Sequence, residues 1–182
     1  MARLALYLLG SPRLERNGEA VPIHRRKTMA LLAYLAVTQA SHPREALATL
    51  LWPEWDASSA RADLRRTLSL VNEALGGSAI EADRETAGLD PDLGLWVDVA
   101  EFEAKLGVCA GHGHAADEAY GDCVGALEEA VTLYRGDFLA GFTLEDSAGF
   151  DEWQFFETQA KRDAMTGALA RLVTWHTAQG EH

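Results

Sequence analysis

The stretch DASSARADLRRTLSLVNEALGG, residues 56–77, shows the clearest helical pattern in the chain. It opens on capping residues, Asp56, Ser58 and Ser59, and closes on a glycine pair, as helices commonly begin and end. One face repeats apolar residues at helical spacing: Leu64, Leu68, Val71 and Leu75. A neighbouring stripe at the same spacing is polar: Arg61, Arg65, Ser69 and Asn72. The stretch predicts a helix that packs on one side and presents arginines to solvent.

An earlier helix is predicted over residues 24–40, HRRKTMALLAYLAVTQA. Its apolar residues nearly encircle the helix axis, which predicts a central and buried position. Its first turn is cationic and contains Arg25, Arg26 and Lys27. Positive charge at a helix N-terminus opposes the helix dipole, so this cluster suggests an anion supplied from outside the helix.

A short helix is predicted between these two, in SHPREALATLLW. Ser41 or His42 is placed to cap it, and Pro43 suits its first turn because proline lacks an amide hydrogen. The helix should end near Trp52, since Pro53 follows directly.

Hairpins flank the three helices. LALYLLG, residues 4–10, alternates as a half-buried strand does, and Asn17-Gly18 forms a typical hairpin turn. AIEADRETAGLD, residues 79–90, predicts two further short strands around residues 83–85. The order of strands, three helices and hairpin is that of a winged helix-turn-helix.

Charge is divided unevenly along the chain. Residues 1–80 hold ten Lys or Arg and seven Asp or Glu, whereas the remaining 102 residues hold six and twenty-one. The net charge of −12 alone argues against nucleic-acid binding. The division changes this conclusion, because only the acidic half should repel a phosphate backbone. Any DNA contact is therefore expected in the first half.

The second half is predicted to contain helices and no strands. VAEFEAKL and VGALEEAVTLYRGDFLAGF predict two helices, and a longer helix is predicted from about residue 148 to 178. Phe155, Leu169, Leu172 and Trp175 on the long helix need a partner to bury them. We expect the chain to be the N-terminal part of a longer helical protein.

Four segments together resemble the bacterial transcriptional activator family, which includes the Streptomyces antibiotic regulatory proteins. They are RRKTMALLAYLAV, LATLLWPEWDASSARADLRRTLSLVNEAL, WVDVAEFE and LEEAVTLYRGDFLAGF. The resemblance covers nearly the whole chain, and its most specific piece is YRGDFLAGF followed by FDEW. It implies a mainly α fold with a small β content. A response-regulator-type winged helix-turn-helix over residues 1–97 would precede a truncated, tetratricopeptide-like activator domain over residues 98–182.

The resemblance further implies that residues 58–75 form a recognition helix in the major groove of double-stranded DNA. Arginine can bond guanine bidentately and asparagine adenine, so the residue types suit base reading. The residues expected to face DNA are Arg61, Arg65, Ser69 and Asn72, with Arg66 on a phosphate, Arg84 in the wing, and Arg25, Arg26 and Lys27 as phosphate clamps. Further expected partners are the transcription machinery, other domains of the same chain, and a second protomer on repeated sites.

Other interpretations of these residues remain open. An arginine stripe is commonly a solvated helix face, and Asp63 and Glu73 could pair with it. The Arg25–Lys27 cluster could instead form salt bridges to the acidic second half. In the competing hypothesis for the whole chain, the winged helix is a protein-interaction module of a larger regulator.

The stretch CAGHGHAADEAYGDC, residues 109–123, predicts a loop and raises the question of a metal. Two thiolates and two imidazoles suit tetrahedral zinc, from Cys109, His112, His114 and Cys123. Four protein ligands would make such a site structural, with no position for a reacting water. The alternatives are reduced cysteines that take no part in metal binding, or, less favoured, a disulfide.

Enzymatic function is not predicted. The sequence contains no phosphate-binding glycine loop, no Gly-x-Ser-x-Gly and no His-Glu-x-x-His. No cofactor is expected to be required, apart from the zinc considered above. The longest near-apolar run, residues 29–37, is far shorter than the roughly 20 residues of a membrane span. With no export signal, a cytoplasmic protein is expected.

Overall fold

A four-stranded sheet opens the fold in the computed structural model, which describes residues 3–110 and 121–180. Its strands are β1 (Leu4–Tyr7), β2 (Arg13–Arg16), β3 (Glu19–Val21) and β7 (Trp96–Val97), in the order β3-β2-β1-β7. The first three pair antiparallel, and β7 joins β1 in parallel. The turn between β2 and β3 has positive φ at Asn17 (55°) and Gly18 (83°), as the predicted hairpin requires.

The helix-turn-helix follows this sheet. It comprises α1 (Arg26–Thr38), α2 (Arg44–Leu51) and α3 (Ala57–Ala74). A second sheet joins β4 (His42–Pro43), β5 (Ile80–Ala82) and β6 (Thr86–Leu89), in the antiparallel order β4-β6-β5. The β5–β6 hairpin is the predicted wing. The predicted fold class, a winged helix followed by helices, is confirmed.

Two helix starts differ from each other in how they are capped. Asp56 caps α3 as predicted, because its carboxylate accepts hydrogen bonds from Ser58 N and Ser59 N, each at 3.0 Å. The predicted cap of α2 by Ser41 or His42 is wrong. Pro43 occupies the N-cap position and makes no side-chain cap, while His42 pairs with Ala87 of β6. Strand pairing to the wing takes the place of a cap.

The second half consists of α4 (Asp98–Ala110), α5 (Gly121–Leu133) and α6 (Ala148–Gln179). Cys109 therefore lies in α4 and Cys123 in α5, so the loop predicted over residues 109–123 is wrong at both ends. One apolar core joins the sheet, the helix-turn-helix and the second half, and it includes Phe102, Phe138 and Phe150. The burial of these phenylalanines seats the helical half firmly against the winged helix.

A buried carboxylate joins the first sheet to α4. Asp98 is 2% exposed and accepts hydrogen bonds from Leu8 N at 2.8 Å and Leu9 N at 2.9 Å. Burial raises the pKa of this carboxyl, and the backbone N–H donors act against that rise. Asp98 thus satisfies two backbone donors where β1 ends and α4 begins.

Candidate nucleic-acid interface

The outer face of α3 is polar and open to solvent. Its inner face buries Ala60, Leu64, Thr67, Leu68 and Val71. The predicted DNA-facing residues Arg61, Arg65, Arg66 and Ser69 are all exposed. Arg61 also donates from Nε to the carbonyl of Ala57 at 2.9 Å, which holds its side chain along the helix. Four of the sequence-predicted residues therefore share one accessible surface.

Arg84 stands exposed in the turn of the wing, between β5 and β6. Asp83 shapes this turn, because its Oδ1 accepts from Glu85 N at 2.7 Å and Thr86 N at 2.6 Å. These hydrogen bonds lower the pKa of Asp83. The carboxylate is engaged with its own turn, so the positive charge of Arg84 lies at the tip.

Arg44 is a candidate that the sequence analysis missed. It begins α2, and its backbone N–H donates to Glu85 O at 2.7 Å, while Nη1 donates to Asp83 O at 3.1 Å. A groove between α3 and the wing is lined by Arg44, Arg61, Leu64, Arg65, Asp83 and Arg84. In the sequence, the signal for Arg44 was a cation in the first turn of a helix, which is the same signal that pointed to the cations of α1.

Asn72 plays a different part from its neighbours on the predicted stripe. It is half-buried, and its Oδ1 accepts a hydrogen bond from Ala79 N at 2.7 Å. Ala79 is buried and directly precedes β5. Asn72 thereby ties the end of α3 to the start of the wing, and its carboxamide oxygen is occupied within the protein.

The three cations at the start of α1 divide between two environments. Arg26 donates from Nε to Thr143 O at 3.0 Å, and its guanidinium lies 5.0 Å from the Phe142 ring centre. Lys27 forms an ion pair with Asp146, with Nζ 2.7 Å from Oδ2. Arg25 is exposed. Lys27 thus forms a salt bridge to the acidic half, as the alternative interpretation expected, whereas Arg26 is exposed and bonds a backbone carbonyl there.

Three basic residues of the second half form ion pairs within it. Lys105 pairs with Glu129 at 2.6 Å, and the buried Lys161 pairs with Glu103 at 2.7 Å. Arg162 pairs with Asp137 through two hydrogen bonds, which lower the pKa of that carboxyl. The positive charge available to a polyanion is therefore concentrated on the winged helix.

The structure describes only some of the predicted zinc ligands. His112, His114 and the side chain of Cys109 lie outside the described residues. Cys123 is 1% exposed and packs with Leu127, Ala168 and Leu172. In the part of the chain that the structure describes, no three His, Cys, Asp or Glu side chains are grouped to hold a metal ion. Zinc binding stays a prediction.

Residues 3–110 and 121–180 contain no helix with the length and apolar character to cross a membrane. No family model matches the chain. The chain is 31% identical over 186 residues to the transcriptional regulatory protein EmbR of Mycobacterium tuberculosis, and equally to that of Mycobacterium bovis. This alignment covers 98% of the chain and 44% of each relative.

A solved structure gives the same relationship. Mycobacterium tuberculosis EmbR in complex with a low affinity phosphopeptide superimposes with a TM-score of 0.74 and 27% sequence identity. The match covers all of this chain and 47% of that one, so the chain spans less than half the length of the relatives it matches. Sequence and structure agree over the winged helix and the helices that follow it. The chain is therefore homologous to EmbR over almost its entire length, in agreement with the resemblance of its sequence to the bacterial transcriptional activator family.

Proposed function

We propose that this chain binds double-stranded DNA in a sequence-specific manner and regulates transcription, with α3 in the major groove. The observation that carries the proposal is the surface formed by α3 and the wing. Five exposed or groove-lining arginines meet there, and we call them the arginine surface: Arg44, Arg61, Arg65, Arg66 and Arg84. An exposed helix face beside a cationic wing fits a DNA groove, because phosphates flank that groove on both sides.

Each part of the arginine surface has a proposed role. Arg61 and Arg65 read base edges, since both project from α3 toward the groove beside the wing. Arg66 and Ser69 contact the backbone and adjacent bases from the exposed front of α3. Arg84 reaches a phosphate or the minor groove, and Arg44 contacts a phosphate between the helix and the wing.

Asn72, Arg26 and Lys27 receive other roles in this proposal. The hydrogen bond to Ala79 N makes Asn72 a positioning residue that sets the wing relative to α3. Arg26 and Lys27 hold the second half in place. Arg25 remains exposed beside them, and this proposal assigns it no DNA contact.

The test is a binding measurement over a salt series. A duplex is selected from a randomised pool by the chain itself, and fluorescence anisotropy follows binding from 50 to 300 mM salt. The affinity should fall steeply as salt rises, because several phosphates release counterions. A scrambled duplex of equal length is the control and should bind at least about a hundredfold more weakly. Equal affinity for the two duplexes would contradict sequence-specific binding.

The second candidate function is a protein-interaction module within a larger regulator. The ion pair of Lys27 with Asp146 and the overall negative charge favour it, since both reduce the attraction to DNA. Such a module would bind no selected duplex at any salt concentration. We further propose transcription machinery, or further domains of the same protein, as partners of the helical half, and binding by more than one protomer on repeated sites.

A further inference from the structure

A cleft of about 820 Å³ lies between the winged helix and the second half and shares no lining residue with the groove beside the wing. It is formed by the N-terminus of α1, the segment after α2, one face of α3, and the loop of residues 143–146. Trp52 and Trp55 form part of its wall, and Trp55 is 47% exposed. The cleft is large enough for a small organic molecule.

A buried polar group that lacks a partner lies beside this cleft, at the start of α1. Thr28 is only 3% exposed and lines the cleft, and its Oγ1 has no hydrogen-bond partner among the described residues. An unsatisfied buried hydroxyl is costly, and native structures rarely keep one without a reason. Its position in the first turn of α1 makes it a donor beside the positive end of a 13-residue helix.

The charges around Thr28 are of both signs, and the cations lie at the N-terminus of α1. Arg25, Arg26 and Lys27 surround the start of α1, and no acidic residue lies in that first turn. Three carboxylates also line the cleft: Asp63, Glu145 and Asp146. Asp146 pairs with Lys27, and that hydrogen bond lowers the pKa of the carboxyl. The carboxylate of Asp146 thus occupies a cation that a bound anion would otherwise contact.

We propose that this cleft binds the phosphate group of a small phosphorylated molecule. The helix N-terminus, Thr28 Oγ1 and the Arg25 and Lys27 side chains would hold the phosphate. The indole of Trp55 lies exposed at the same cleft, where a planar group attached to the phosphate would stack. The site is separate from the arginine surface, so it does not depend on the proposed DNA binding.

The test is isothermal titration calorimetry with inorganic phosphate, AMP and adenosine in a low-salt buffer. The proposal expects one site with a Kd below about 1 mM for phosphate or AMP. Tighter binding of AMP than of phosphate would assign a nucleotide-like ligand, whereas equal affinity would assign free phosphate. No heat with either, or adenosine binding as tightly as AMP, would overturn the proposal.

Three variants locate the site. Thr28→Val removes the hydroxyl but keeps the shape, so it should weaken phosphate binding about tenfold without lowering the melting temperature. Arg25→Gln should weaken binding to a similar extent, and Asp146→Asn should strengthen it by releasing Lys27. Arg171→Gln on α6 lies outside the cleft and serves as the control. Unchanged affinity in a folded Thr28→Val protein would overturn the assignment.

A final titration separates this site from the DNA interface. Phosphate or AMP binding is measured again with the selected duplex at saturation. Retained binding is expected, because the arginine surface and the cleft use different residues. Displacement by the duplex would mean that a DNA phosphate occupies the cleft, and the proposal of a small-molecule site would then be wrong.

Discussion

Two clusters of basic residues on the winged helix look alike in sequence but meet different surroundings. The arginine surface faces solvent along α3 and the wing, with Arg61, Arg65 and Arg66 exposed. At the start of α1, Arg26 and Lys27 instead contact Thr143 and Asp146 of the second half. Equal charge therefore does not imply an equal role. Availability to a partner depends on what the rest of the fold places opposite each cluster.

The largest expected effect is the loss of DNA binding when two side chains of the arginine surface are truncated. The double variant Arg61→Ala and Arg65→Ala should lose at least about a hundredfold in affinity for the selected duplex, because each arginine contributes about 1–3 kcal/mol. Fluorescence anisotropy measures the loss, and Arg171→Ala is the matched control. Sequence preference should also relax. Unchanged affinity in the double variant would contradict the placement of α3 in the major groove.

A large effect on stability is expected at the junction that brings the second half to the winged helix. Asp98→Ala should lower the free energy of unfolding by about 2–4 kcal/mol, because Leu8 N and Leu9 N lose their acceptor. Urea denaturation followed by circular dichroism measures it. Asp163→Ala, an exposed site on α6, should change stability by less than about 0.5 kcal/mol. Equal stability of both variants would contradict the role given to Asp98.

A smaller effect is expected where α3 meets the wing. Asn72→Ala should lower the free energy of unfolding by about 1–2 kcal/mol, since Ala79 N is left without its acceptor. Affinity for the selected duplex should fall moderately, while the preferred sequence stays unchanged. A shift in base preference at one position, found by repeating the selection with the variant, would show that Asn72 reads a base directly.

The smallest effect is expected at the ion pair of Lys27 with Asp146. Asp146 is 56% exposed, so Asp146→Asn should cost no more than about 1 kcal/mol of stability. Lys27 lowers the pKa of this carboxyl, so the contribution is present above about pH 4 and is lost as the pH falls through the lowered pKa. The difference in free energy of unfolding between parent and variant, measured by urea titration, should therefore be smaller at pH 3 than at pH 7. A constant difference across this range would exclude the ion pair as its cause.

Most of the fold could be predicted from local sequence patterns. The cap by Asp56, the apolar stripe on α3 and the Asn17-Gly18 turn depend on residues close together in the chain, so their pattern is visible without a structure. The exposure of Arg61, Arg65 and Ser69 follows from the same periodicity, whereas Asn72 on that stripe is half-buried. The start of α2 was mispredicted because His42 pairs with Ala87, which is 45 residues away.

The remaining features depend on contacts between distant segments. The ion pair of Lys27 with Asp146 joins residues 119 positions apart, so the sequence could suggest it only as an alternative interpretation. Arg44 belongs to the interface only because the wing folds back onto the start of α2. The helix α4 extends to Ala110, beyond the predicted VAEFEAKL, and its Leu106 packs on the cluster of Cys123 and Leu127, a contact that no local pattern reveals.

Comparing one arginine from each cluster on the same duplex tests directly whether α3 and the wing bind DNA. Arg65→Ala and Arg26→Ala are measured side by side by fluorescence anisotropy at constant salt. We expect a loss of at least about tenfold for Arg65→Ala and less than about threefold for Arg26→Ala. An equal loss for both variants, or a larger loss for Arg26→Ala, would contradict the assignment of DNA binding to α3 and the wing.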